Sequence, residues 1–373
     1  MMKLHVNMTR FLILCCTALV LSGCQTLSSK TDAYDNRSPS YLVYGYYQHL
    51  QGKQLFQNSW LDERQFTSRV QAHYESLPQA LPPFSASKIR GAFPGIIGAV
   101  RGMANGKCQQ IDASYEQDGL HVMVECFVDE GFIVQELLLD VSNENVSLVD
   151  LRSATNGVWM SELFSHLVAD HTGIGRLNEV FSLIGESRAG QLDLAKYYAL
   201  NGYIKTNRIL ALTFNTVHDN AVIRKELSEA LEAMCPLDPD CALGRFDYYV
   251  ETEQYLKAIE MLNLAKVRYP RSQYIQETLA NLYLETNQHD LAVETGRQVI
   301  WTKPSAINGF MQVFSAAASM GDVEQATQAA AAMVKGFKVQ PKDITNEYNQ
   351  EMADIPGFWQ RVNSIVAASK QKP

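Results

Sequence analysis

The residues able to do chemistry in this chain are few, and its seven cysteines are the first of them. Cys235 and Cys241 close the short loop Cys235-Pro236-Leu237-Asp238-Pro239-Asp240-Cys241. A bridge there would contribute roughly 2–3 kcal/mol by restricting the unfolded chain. With no histidine beside it, the pair does not complete a tetrahedral metal site. His166 and Asp170 share a helical face at i, i+4, with His171 next to them. That is half of a metal site, and no third ligand can be nominated, so a solvated helix end is the simpler reading. Gly185-Glu186-Ser187-Arg188-Ala189-Gly190 has one residue too many before its last glycine to be a nucleophile elbow, and it lacks the strand that must precede one. Glu226 with Glu229, and Glu251 with Glu253, have the look of exposed helical faces. No phosphate-cradling glycine loop occurs. The sequence thus gives no catalytic residue, no metal set and no cofactor, and the expectation is a protein that is not an enzyme.

The N-terminus carries an address. Lys3 and Arg10 are basic, Phe11 to Leu21 is an uncharged apolar run too short to span a bilayer comfortably, and Leu21-Ser22-Gly23 leads into Cys24. This resembles a bacterial lipoprotein signal. In that family the peptide is cut before the cysteine, whose thiol and new amino group are acylated. The resemblance makes residues 1–23 a signal peptide, Cys24 the lipidation site and 24–39 a lipidated tether. With Gln25 rather than aspartate next, it implies the outer membrane, facing the periplasm. Two or three acyl chains, at about 0.8 kcal/mol per buried methylene, anchor a protein without a transmembrane helix.

With that segment gone, Cys15 and Cys16 leave and Cys24 takes lipid, so Cys108, Cys126, Cys235 and Cys241 remain as two disulfide pairs in an oxidising compartment. Lys3 and Arg10 leave too, so the net charge of −8 becomes more negative by two. An acidic chain disfavours nucleic acid and a polybasic grip on anionic lipid. The length suggests two domains with real cores.

The elements that would hold these residues fall in two groups. Residues 40–172 read as an α+β domain. Helices at Ser40–Gln51 and Leu61–Ser76 carry Tyr41, Tyr44, Tyr46, Tyr47 and, just before the second, Trp60, an aromatic group suited to packing on a sheet. Gly91 to Gly106 reads as a loop with a short, closely packed helix. Then the period becomes two: Lys107–Gln117, Leu120–Asp129, Phe132–Val141 and Val146–Arg152 form a four-stranded antiparallel meander with hairpin signals between strands. Ile111, Ala113 and Tyr115 would be the apolar side of the first strand. A two-residue Asp118-Gly119 turn places Cys126 opposite Ile111, three positions from Cys108, so a Cys108–Cys126 bridge needs a bulge or bend. A helix at Val158–His171 completes an order similar to cystatin-like rolls.

The second group is all-helical. Residues 173–238 connect to a stretch, 239–340, in which positions 34 apart match: Tyr249 and Tyr283, Glu251 and Glu285, Thr252 and Thr286, Gln254 and Gln288, Ala258 and Ala292, Glu260 and Glu294, Pro270 and Pro304. Ala326 continues the alanine series. These residues resemble the tetratricopeptide repeat family over about three units, with departures at Phe246, Gly296 and Lys338. The resemblance implies an α-solenoid that binds a protein or peptide, with Tyr249, Gln276, Asn281 and Tyr283 on the partner face. Residues 341–373 would cap it through Phe358 and Trp359. The expected function is a membrane-anchored periplasmic scaffold or adaptor in envelope, pilus or secretion assembly. The competing reading is a hydrolase or small-ligand-binding protein with its site in the α+β domain.

Overall fold

A computed structural model describes residues 38–369 except 79–80, 129–130, 142–144, 155–156, 171–178, 181–182, 184–185, 187–191, 206, 216–219 and 303–305. The signal-like segment, Cys24, the tether to Arg37, His171, most of the motif ending at Gly190, and Pro304 lie outside the described residues. The chain divides into two units, Met1–Tyr248 and Tyr249–Pro373. No helix among the described residues is long and apolar enough to cross a membrane.

In the first unit α1 spans Pro39–Leu50, with the proline at its first position, where a missing N–H costs nothing. Helix α2, Glu63–Glu75, starts from Asp62, whose carboxylate accepts from the Gln65 N–H at 2.8 Å. Part of the aromatic entrance packs as expected, while Tyr41 and Tyr44 are exposed. Tyr46 and Trp60 are buried around Phe56, and the Tyr46 hydroxyl donates to Gln135 on the sheet. A Cβ at Gly45 would overlap the Trp60 ring, so glycine there permits the approach. Helix α3, Ala92–Ala99, buries Phe93, Ile96 and Ile97.

The sheet has five strands in sequential order, all pairs antiparallel: β1 Cys108–Glu116, β2 Gly119–Val128, β3 Gly131–Asp140, β4 Ser147–Ser153 and β5 Val158–Trp159. The fifth, two residues long, corrects the four-strand expectation. It occupies the start of the stretch read as helix, and α4 begins only at Met160.

Cys108 and Cys126 sit directly opposite one another, 4.0 Å apart at Cα and at disulfide distance. The three missing positions have two sources. The turn centres on Gln117-Asp118, pairing Glu116 with Gly119 and moving the register by two, and a bulge at Ile111 supplies the third. Beyond that bulge, edge strand β1 is not covered: Tyr115 is exposed, contrary to its assignment to an apolar side.

Helices α4 (Met160–Asp170), α5 (Leu194–Lys205), α6 (Arg208–Asn215) and α7 (Ala221–Met234) complete the unit before α8 (Pro239–Glu251). Their Leu163, Tyr197, Leu200, Ile204, Leu210, Ile223, Leu227 and Leu231 belong to one continuous apolar core. The sheet contributes Val122, Val124, Leu137 and Leu151 to it, and α1 contributes Leu42 and Tyr46. The segment read as a connector is therefore core-forming. Cys235 and Cys241 stand at disulfide distance in the same core.

The remaining helices are α9 Tyr255–Arg268, α10 Gln273–Glu285, α11 His289–Thr302, α12 Ile307–Ser319, α13 Val323–Phe337, α14 Pro341–Ile344, α15 Gln350–Ala353 and α16 Phe358–Ser369. Helix starts at 239, 273, 307 and 341 are 34 apart, as are helix ends at 251, 285, 319 and 353. Each of the first three hairpins turns in one way. Glu253, Asn287 and Gly321 have φ of 57°, 57° and 73°. Across them the N–H groups of Gln254, Gln288 and Asp322 donate to the carbonyls of Tyr249, Tyr283 and Ala317 at 2.8, 2.7 and 2.9 Å. This is a helix-ending motif closed by a left-handed residue. Ala258, Ala292 and Ala326, 34 residues apart on the second helices of the hairpins, are fully buried.

The fourth span, 341–353, is interrupted. Asn349 accepts from the Asn346 N–H and donates to the Ile344 carbonyl, so side chains take the bonds an unbroken helix would use. The last helix packs on the hairpins before it: Phe358 stacks on Phe314, and Val362 joins the core of α12 and α13.

Candidate functional site

The alternating positions of β2, β3 and β4 that point away from the apolar core carry His121, Glu136, Asp150 and Arg152. Alternation alone would leave such residues to solvent. They are 3%, 0%, 0% and 4% exposed. Burying charge is costly unless each group is paired, and here each is. His121 Nδ1 lies 2.5 Å from Glu136 Oε1, and its Nε2 lies 2.8 Å from Asp118 Oδ1 and 3.8 Å from Glu116 Oε2. Arg152 donates to Glu136 Oε2 through Nε at 2.7 Å and reaches Asp240 on α8 through Nη1 at 2.6 Å. Gly157, with φ 58°, lies so close to the Asp240 backbone that a Cβ would clash, which lets the β4–β5 turn press against the start of α8.

Trp159 organises the cations. The Arg152 and Arg69 guanidinium carbons lie 4.8 and 5.5 Å from its ring centre. Arg69 also pairs with Asp118 at 2.9 Å and Asp150 at 3.2 Å. Asp150 accepts from the Ser161 hydroxyl at 2.5 Å and from the Leu151 N–H at 2.9 Å.

The electrostatics follow from burial and partners. Burial pushes the Asp150 carboxyl up to about 6, against the lowering effect of Ser161 and Arg69. Burial would lower the His121 imidazole, but its bonds to Glu136 and Asp118 reverse that and hold it above its ordinary value. Asp118, though raised by burial, is held below the ordinary carboxylate range by His121 and Arg69.

In the helical unit the residues expected on a partner face are turned inward or engaged. Tyr249, Gln276 and Tyr283 are buried, and Asn281 is half-buried. Gln276 donates to the Pro270 carbonyl, the Tyr283 hydroxyl accepts from Asn263, and Asn281 accepts from Gln312. Gln312 also donates to the Glu277 carbonyl, and Asn308 to its carboxylate, so an amide ladder joins α10 to α12. Ser315 with Asn346 and Asn349 extends it to the interrupted fourth span.

No family model, curated protein or solved structure matches this chain.

On the second helices of the hairpins a hollow of about 680 Å³ lies between α11 and α13. Asp290, Glu294, Arg297 and Trp301 line it from α11, and Met320 and Asp322 from the following turn. Trp301 is 90% exposed, an indole held in water beside three carboxylates. His166, the other histidine singled out by spacing, is held below its ordinary value by burial and faces Asn207. The ionic row was missed because its members are scattered over four strands, a turn and two helices. The one legible signal was the presence of charge at alternate strand positions.

Proposed function

We propose that the protein is a lipid-anchored periplasmic scaffold of the outer membrane that captures a protein or peptide partner through tetratricopeptide-like hairpins, as envelope, pilus or secretion assembly requires. The observation that carries this reading is the recurrence of one helix-ending geometry at Glu253, Asn287 and Gly321. Hairpins that share one turn geometry stack into an array, because each needs its neighbours to bury its apolar face. Such an array offers long surfaces and no enclosed catalytic chamber.

The polar ladder occupies the contacts between first helices, so partner contact falls to the outer hollow beside Trp301. Exposed tryptophan and arginine are the side chains that most often dominate binding energy. Attachment rests on the Leu21-Ser22-Gly23-Cys24 sequence.

The test compares partners cross-linked in envelope extracts to the full chain and to its Trp301→Ala, Arg297→Ala variant, with unfolding curves showing equal stability. The reading requires a partner recovered by the first and lost from the second. Identical recovery from both removes the hollow as the docking surface, and identical recovery after the hairpins are deleted removes the scaffold itself.

A further inference from the structure

We propose that the β1–β2 hairpin is a divalent transition-metal site, with His121 Nε2, Asp118 Oδ1 and Glu116 Oε2 as ligands and Glu136 as the buried carboxylate that orients the histidine. The ligand atoms of Glu116, His121 and Glu136 lie within 4.8 Å of one another. One imidazole nitrogen can serve one ion, and the two sides of this ring differ. Glu136 Oε1 stands 2.5 Å from Nδ1 on a carboxylate that is fully buried and held by Arg152, so that side keeps its hydrogen bond. On the Nε2 side the carboxylate oxygens of Asp118 and Glu116 lie at 2.8 and 3.8 Å. Two ligands each about 2.1 Å from a tetrahedral ion stand roughly 3.4 Å apart, between those two values.

The surroundings match what a metal-binding histidine needs. Its second nitrogen faces a carboxylate, which selects the tautomer that presents Nε2. That carboxylate is fixed by Arg152, whose Nε and Nη2 both reach Glu136 Oε2, at 2.7 and 2.6 Å. Asp118 turns its other oxygen to Arg69 at 2.9 Å, leaving Oδ1 toward the histidine. His121 is buried, while Glu116 and Asp118 remain about 40% exposed, so water can fill the remaining coordination positions.

Imidazole with two carboxylates suits a borderline first-row ion such as Zn²⁺ rather than a hard ion bound by oxygen alone.

The experiment is calorimetric titration of the full chain, stripped by chelator, with Zn²⁺ near neutral pH, together with the visible spectrum of the Co²⁺ form. One ion per chain is expected, with ligand-field absorption of a four- or five-coordinate Co²⁺. E116Q, at the end of β1, and D118N, in the turn, are each expected to weaken binding at least tenfold, with cooperative unfolding curves showing that both variants remain folded. E136Q is expected to weaken it about 10–100-fold as an orienting group. The absence of saturable binding, or wild-type affinity in the E116Q, D118N double variant, overturns the site. Because His121→Gln removes a buried partner and can disturb the fold, the decision rests on Glu116 and Asp118. Partner capture by the helical hairpins is read separately and is not affected by either outcome.

Discussion

Glu253 and Asn287 stand 34 residues apart with the same backbone φ of 57°, each closing the first helix of its hairpin. Gly321 takes the next such position with φ 73°. A side chain in this left-handed region costs of order 1 kcal/mol, and glycine avoids most of it. Glu253→Gly is therefore expected to stabilise the helical unit by about 0.5–1 kcal/mol and Gly321→Ala to destabilise it by about 1 kcal/mol or more. Urea unfolding of the full chain measures both, and a neutral Gly321→Ala would show that the turn carries no strain.

Arg152 joins Glu136 to Asp240 from a nearly sealed position. Removing one partner of a buried ion network leaves the others uncompensated. Arg152→Ala is expected to cost about 3–5 kcal/mol. Asp240→Asn keeps a hydrogen-bond acceptor and should cost less. A double-mutant cycle between the two positions reads their coupling, and additive losses would mean that the 2.6 Å contact contributes nothing of its own.

Asp150 supplies a pH dependence whose sign follows from its raised value. Its ordinary pKa is 3.8, and burial brings the folded-state value to about 6. Between those values the unfolded chain has released the proton while the folded chain still holds it. Stability due to this group is therefore full below the ordinary value, falls as pH rises toward 6 and is flat above it. In Asp150→Asn that decline is expected to vanish. Unfolding midpoints of wild type and variant from about pH 3.5 to about pH 7 test it, and a constant difference between them would contradict the raised value.

Both cysteine pairs are expected to be oxidised in protein recovered from an envelope. Alkylation without reduction should modify none of Cys108, Cys126, Cys235 and Cys241, and mass spectrometry after reduction should find all four modified. Losing the Cys108–Cys126 link is expected to cost about 2–4 kcal/mol, because it ties the edge strand β1 to its neighbour.

Cys24 is expected to carry lipid. Labelling cells with an alkyne-bearing fatty acid should tag the wild-type chain, and Cys24→Ser should abolish the tag and release the protein from the membrane fraction. Labelling that persists in the variant would place the anchor elsewhere.

The helical hairpins were legible in the sequence because their determinants are local. Buried alanine recurs at 258, 292 and 326 and the left-handed helix-ending residue at 253, 287 and 321, each at the same 34-residue period. The fourth hairpin was harder to see, since Asn346 and Asn349 divert backbone bonds and split its first helix. The strands were legible from their alternation and the Cys108–Cys126 pair from the count of cysteines, but the register that sets the two opposite one another was not, because a bulge at Ile111 and a shifted turn each move it without marking the sequence.

By itself the sequence determined the class of each unit, the period of the hairpins and the cysteines available for pairing. Those features depend on neighbours along the chain. Only the tertiary structure decided which strand faces are covered. The second face of the sheet carries His121, Glu136, Asp150 and Arg152 and is buried in the fold, where α2, β5 and the start of α8 bring Arg69, Trp159 and Asp240 onto it. Burial turned an ordinary row of strand charges into a linked network, because charges withdrawn from water must find one another.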